Sequence, residues 1–333
     1  MKVLVDHHHG ALLKSMYYLF KKRYNFDVYL PTGFDWLDKE LLYSSYPYRG
    51  TADQMLNSWT HDRFCVENFI KADLEIFINT EFDIIVCTLL DNYKIFEDII
   101  KKYNKKCKLI LHIGNNNPPS LLEQMGVKNL MSSSWPVYLV SKIPNKVFCR
   151  QEFSLDFFKP KYDCNVNSVA NYKNILDEEE YNTFLNLEKK LSNWSFKCYG
   201  TNNRDGIIPQ TEHIMAESMR DFGFIYHFKK IDEGYGHVIH NAFACGKPVI
   251  TNSNYMKVNF YNKFIGNTPS LLFEPNITIL DLATDSIDDI KYKLEKFSDS
   301  YKETSERVYN KFKNTVDFEK ESESVRQFII NLI

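Results

Sequence analysis

The chain has 333 residues, 44% of them hydrophobic and 25% charged, and at roughly 150 residues per domain that length suggests about two soluble globular domains. This composition excludes a disordered tail protein, a collagen-like repeat and a coiled-coil rod. Lys and Arg number 41 against 43 Asp and Glu, a formal net charge of -2, so no global field holds a polyanion and any basic groove must be local.

Seven cysteines are present: Cys65, Cys87, Cys107, Cys149, Cys164, Cys198 and Cys245. Their number is odd and no pair has C-x-x-C spacing, which argues against a disulfide framework or zinc knuckle and for a reducing cytosol. The apolar run before Asp6 is too short for a signal peptide, and no apolar stretch reaches the ~20 residues needed to span a bilayer. A cytoplasmic protein without a transmembrane segment is expected, with peripheral membrane contact and oligomeric state left open.

In chain order, residues 2–5 read as a short strand. Residues 11–23 follow as a helix, with Leu12, Met16, Leu19 and Phe20 at helical spacing. Residues 28–30 form a second strand, stopped by Pro31 and Gly33. Residues 34–75 are aromatic, polar and weakly periodic, as short helices and loops would be. A clear alternation then begins: strand 83–88 (DIIVCT), helix 93–103, strand 108–113, short helix 119–125 and strand 127–131. Strands alternating with helices mean parallel β-α-β units.

Pro144, Pro160 and mixed polar residues interrupt the pattern at 145–165, where a domain boundary is expected. The alternation resumes with strand 166–172, helix 178–191, strand 196–199, helix 210–220, strand 222–228, helix 236–245 and strand 248–251. The run 270–273, a helix at 288–297, the charged segment 301–313 and a helical pattern over 317–333 complete the chain. The fold class is therefore α/β: two doubly wound parallel-sheet, Rossmann-like domains. Open parallel sheets bind ligands at the carboxyl ends of their strands, so a cleft between two such domains is the default active site.

One segment carries most of the chemistry: residues 232–250, DEGYGHVIHNAFACGKPVI. A strand ends near Phe228, a loop bearing Gly234 and Gly236 follows, and a helix begins. Glycines permit tight turns and close backbone approach to a ligand, and the unpaired N–H groups at a helix start favour a phosphate. On this helix Val238, Ile239, Ala242, Phe243 and Gly246 form the expected buried stripe, while His237 and Asn241 share another side. A plain strand-loop-helix-strand unit accounts for the two glycines alone.

The whole segment closely resembles the donor-site motif of retaining GT-B-fold glycosyltransferases, E-G-F-G-x-x-x-x-E-A-x-A-C-G-x-P-V-I. The matching residues are Glu233, Gly234, Tyr235, Gly236, Ala242, Ala244, Cys245, Gly246, Pro248, Val249 and Ile250. The resemblance implies a GT-B fold, with an acceptor-side domain over 1–150, a nucleotide-sugar-binding domain over 151–316, and a final helix at 317–333 returning to the first domain. It implies that Glu233 contacts the donor sugar and that the glycine loop lies near the diphosphate. The second acid of the motif binds the nucleotide ribose; here Asn241 replaces it, an uncharged side chain that both accepts and donates. The donor is expected to be a nucleotide-diphosphate sugar, UDP-linked sugars among the candidates, with no cofactor required.

Other groups take roles from the same resemblance. His8, His9 and Gly10 lie in the first strand-helix loop, which in GT-B enzymes approaches donor phosphate and acceptor. Three adjacent histidines rarely converge on one ion, so no metal site is expected. His112 ends a first-domain strand, where many GT-B enzymes keep a functional His, and a structural His bonded to a carbonyl fits equally well. Asn115–Asn117 beside it either bind sugar hydroxyls or form the turn before Pro118. Arg204, Lys229 and Lys230 are the basic residues best placed for a diphosphate. Cys245 reads as a small packing residue, and Phe34, Trp36, Tyr43, Tyr46 and Tyr48 are candidates for an acceptor groove.

The expected reaction is transfer of a hexosyl or pentosyl group to a hydroxyl acceptor with retention of configuration. The acceptor is a glycan or a hydroxylated DNA base, the latter because the short first domain and His-rich loop also look similar to phage-type glycosyltransferases. Two alternatives keep the fold: a catalytically inactive nucleotide-sugar or glycan-binding protein, and a nucleotide-sugar epimerase.

Overall fold

The computed structural model describes residues 1–6, 10–31, 69–201, 203–209, 211–230 and 233–333. The chain divides into two compact units, Met1–Phe153 with Phe318–Ile333, and Ser154–Asp317.

The first unit opens with β1 (Lys2–Val5) and α1 (Gly10–Met16), which runs into a π-helix over Tyr17–Arg23. The π segment buries Tyr18, Leu19 and Phe20 in succession. Then follow β2 (Asp27–Pro31), β3 (Ile70–Ala72), α2 (Leu74–Asn79), β4 (Ile84–Cys87), α3 (Leu90–Lys102), β5 (Lys108–Ile113), α4 (Pro119–Gln124), β6 (Asn129–Ser132), α5 (Trp135–Val140) and β7 (Asn145–Phe148). The seven strands form one sheet in the order β3-β2-β1-β4-β5-β6-β7, every pair parallel. β4 and β6 are buried at every position, as strands covered on both faces must be. Asp73 caps α2 by accepting from the Ile76 N–H at 2.8 Å.

The second unit contains β8 (Asn165–Asn171), α6 (Glu178–Lys190), β9 (Ser195–Cys198), α7 (Glu212–Asp221), β10 (Phe222–Tyr226), α8 (His237–Ala244) and β11 (Val249–Thr251). A hairpin of β12 (Lys257–Phe260) and β13 (Lys263–Gly266), then β14 (Ile279–Asp281), α9 (Ile287–Asp299) and α10 (Tyr301–Thr315) complete it. Its five-stranded sheet, β14-β11-β10-β8-β9, is also wholly parallel. Capping boxes at Asp177/Glu180 and Ser286/Asp289 start α6 and α9 by satisfying orphan N–H groups in both directions. Gly246 ends α8 with φ +68, and a Cβ there would meet Ser305 Oγ at 2.5 Å and its carbonyl oxygen at 2.9 Å, so α8 and α10 approach more closely than any other residue permits.

Lys247, the next residue, is fully buried, and among the described residues no carboxylate pairs with it. Its ammonium donates to the Lys161 carbonyl at 3.1 Å, to Cys164 Sγ at 3.3 Å and to Tyr301 Oη at 3.0 Å, and Tyr301 in turn donates to the Gly223 carbonyl at 3.0 Å. Burial pushes its pKa down.

The last helix, α11 (Phe318–Leu332), packs Val325 and Ile329 into the core of the first unit with Val3, Leu12, Met16 and Val147. Glu321 there pairs with Arg150. Among the described residues, no helix is long and apolar enough to cross a membrane.

The structure departs from the sequence reading at several points. β7 lies inside the stretch read as an interruption, because Pro144 precedes the strand instead of breaking it. The hairpin, β14 and α5 went unpredicted, and the run 270–273 falls in a 3-10 turn, Thr268–Leu272. On α8 Val238 is only half-buried, whereas His240 and Asn241 join the buried set. Residues 34, 36, 43, 46 and 48, and His8 and His9 of the first loop, lie outside the described residues; Gly10 opens α1.

Candidate functional site

In a doubly wound sheet the strand order reverses at one point, and the crevice beyond the carboxyl ends there receives ligands. In the second unit this point lies between β8 and β10. β10 delivers His227 just past its end, fixed by its N–H to the Ile250 carbonyl at 2.9 Å. The chain then returns through Glu233 to α8.

Glu233 is the centre of this loop. Its Oε2 accepts from His227 Nε2 at 2.9 Å and from Lys229 Nζ at 3.2 Å. Burial alone would raise the carboxyl pKa, but the His227 and Lys229 contacts bring it down to about 2. An ionised carboxylate only accepts, so His227 carries its proton on Nε2. The opposite nitrogen, Nδ1, is buried and finds no partner among the described residues.

Gly234 and Tyr235 are buried, and Gly236 takes a left-handed conformation, φ +73 and ψ +61, at the N-cap of α8. A Cβ at Gly236 would meet Pro269 Cγ at 2.8 Å, so a glycine is required both by the turn and by the approach. The Tyr235 ring stacks on His240 at 4.3 Å and meets His237 edge-on at 4.7 Å. His240 Nδ1 donates to the Gly236 carbonyl at 3.0 Å, which ties the buried imidazole to the loop. The N–H groups of the first helical turn have no intrahelical acceptor and carry the positive end of the helix dipole.

One turn into α8, Asn241 is 9% exposed and its Oδ1 has no partner among the described residues; the same holds for Thr251 Oγ1 at the end of β11. Glu233, Gly234, Tyr235, Gly236, His237, Asn241 and Lys229 are thus carried on one loop and the helix it opens. Arg204 stands on the loop after β9, two strands from β10 across the sheet. Its guanidinium is bidentate to Glu188, both bonds 2.7 Å, and also reaches Asp205 at 3.1 Å. Lys230 turns to Glu179 at 2.6 Å. Cys245 is fully buried, and burial pushes its thiol up to about 12.

In the first unit the order reverses between β1 and β4. Asp6 ends β1 fully buried; its Oδ2 accepts from Asn92 Nδ2 at 3.0 Å and its carbonyl from Thr88 Oγ1 at 2.9 Å. His112, one strand further on β5, is also fully buried. Ser133 Oγ donates to the Cys149 carbonyl at 2.6 Å and accepts from His112 Nε2 at 3.1 Å. His112 Nδ1 has no partner among the described residues, and burial pushes the imidazole pKa down to about 3. Asn116 beside it bonds Ser134 Oγ.

Sequence reasoning passed over His227, Asp6, Asn92 and Thr251. The signal available for His227 was its position: a polar residue at the end of an apolar strand, six residues before the acid of the glycine loop.

No protein-family profile matches the sequence, and neither does any curated protein. The structure does match solved ones. HepE (Alr3699) of Anabaena, solved in complex with UDP, is 10% identical with a TM-score of 0.66, covering 99% of each chain. A glycosyltransferase from Rickettsia africae is 13% identical with a TM-score of 0.65, over 98% of this chain and 97% of that one. Sucrose-phosphate synthase of Thermosynechococcus elongatus is 12% identical with a TM-score of 0.65, over 100% and 99%. Two α/β units, each built on a wholly parallel main sheet and matched along nearly the full length of these neighbours, place the chain in the GT-B fold.

Proposed function

We propose that this protein is a glycosyltransferase, moving a sugar from a nucleotide diphosphate to a hydroxyl acceptor. The observation that carries the reading is the loop of residues 233–236: an ionised Glu233, held by two donors, immediately before a left-handed Gly236 that opens α8. The diphosphate sits at the first turn of α8, where N–H groups and helix dipole meet it. Glu233 accepts from hydroxyls of the donor sugar. Asn241 Oδ1 takes a ribose hydroxyl, the part a second acid plays in the motif.

In the reaction the bond between the anomeric carbon and the diphosphate oxygen breaks, and a bond from that carbon to the acceptor oxygen forms on the same face. Charge accumulates on the departing diphosphate. Lys229 and the α8 terminus stabilise it, so the reaction needs no cofactor. The first unit supplies the acceptor side. UDP bound to HepE makes a UDP-linked sugar the first donor to try. A glycan or a hydroxylated DNA base is the acceptor, and the cytoplasm supplies both.

The test is a panel of UDP-, GDP- and ADP-sugars, read by melting temperature and by release of nucleoside diphosphate. One donor should raise Tm and turn over when acceptor is added; if none shifts Tm, the reading fails. Salt-dependent binding of duplex DNA separates a DNA acceptor from a small glycan.

A further inference from the structure

Among the described residues two donors reach Glu233, and they are unlike. The His227 side chain is 5% exposed, hangs on two torsions and is pinned to the sheet through its own backbone. The Lys229 side chain is 27% exposed on four torsions, so it swings at little cost. We infer that His227 is the positioning residue of this site: its Nε2–H holds the Glu233 carboxylate in place, which leaves Lys229 free to turn to the diphosphate. The inference rests on the donor-site reading above and adds a residue that no motif position names.

The groups around Glu233 make the assignment testable. Lys229 lies on the same loop. From α8 come His237 and His240, both against Tyr235. The turn Thr268–Leu272, packed at Gly236 through Pro269, brings no titratable side chain. Lys230 is engaged by Glu179, and its N–H by Glu180 Oε1 at 2.7 Å. Among the described residues, His227 and Lys229 oppose the burial that drives the carboxyl toward protonation, and His227 is the stronger of the two.

The experiment titrates the Glu233 carboxyl by carbon-13 NMR in the full chain without ligand, assigned with Glu233→Gln. His227→Leu should move its midpoint up by at least ~1 pH unit, while His227→Gln, whose amide still donates, should hold it within ~0.5 unit. If His227→Leu fails to fold, His227→Asn replaces it, since its shorter amide cannot reach and the same upward shift is expected. A midpoint unmoved in both the Leu (or Asn) and Gln variants overturns the inference. The second arm measures affinity for UDP-glucose, or for GDP- or ADP-glucose where the wild type prefers them. There His227→Leu should weaken binding ~10-fold and shift its acid limb upward, and His227→Gln should stay within ~3-fold. A wild type that binds none of the panel overturns the donor-site reading alone, because the carboxyl titration needs no donor.

Discussion

Each unit places a histidine at the carboxyl end of a parallel strand, His227 beside the point where strand order reverses and His112 one strand beyond it. His112 meets a serine hydroxyl that is itself committed to a carbonyl, with burial alone acting on its charge among the described residues. His227 meets a carboxylate. The first imidazole is held neutral by burial, the second is tied to an ion. The position within the fold decides that a polar side chain stands there; the partner decides what chemistry it has.

The largest expected effect tests that contrast directly. Glu233→Gln should lower turnover ~100-fold or more, as removal of a charge-assisted contact in a closed site does. His112→Gln should instead cost stability, about 1–3 kcal/mol, and leave turnover of the folded protein within ~3-fold. Equal losses of turnover would break the contrast and give His112 a chemical part. Next is Gly236→Val. The left-handed backbone costs about 1–2 kcal/mol in any L residue, and the overlap with Pro269 adds to it. Thermal unfolding should drop and donor binding should vanish; retained binding would show that the turn is not the cradle.

Acid stability sharpens the comparison further. His112 titrates at about 3 when folded against an ordinary 6.5, so the unfolded chain takes the proton first. Stability is whole above 6.5 and is lost as pH falls toward 3, at up to about 1.4 kcal/mol per unit. Glu233, held down at about 2 against 4.5, contributes fully above 4.5 and loses its share between 4.5 and 2. Hydrogen exchange resolved by unit should therefore show the first unit weakening at higher pH than the second, and His112→Phe should delay that weakening. The smallest effect belongs to Arg204→Ala. Its half-exposed pair with Glu188 is worth about 0.2–1 kcal/mol, and donor affinity should change less than ~2-fold. A larger fall, measured by calorimetry, would bring the β9 loop into the donor site.

Much of this was legible in the residues. The alternation of apolar runs and helical patterns yielded most strands of both sheets, because a parallel strand buried on both faces reads as an unbroken apolar run. The loop of residues 233–236 was legible because glycine, acid and helix start are local in sequence. The hairpin β12–β13 was not: its turn uses Tyr261 and Asn262 at φ +51 and +63, without the glycine that marks such turns. β14 has three residues, too few to show a period. His227 was hidden because its meaning depends on a partner that the loop must first bring back to it.

Lys247 has a further consequence, for where this chain can be cut. Its ammonium is spread over the segment before β8, through Lys161 and Cys164, and over the first turn of α10, through Tyr301. That leading segment looks like a dispensable connector, with Pro160 and little regular structure. A fragment starting at β8 would discard two of the three groups that receive a fully buried amine and leave it facing a single phenol. The smallest autonomous version of the second unit must therefore begin ahead of Lys161, and expression of fragments started on either side of it would locate that limit.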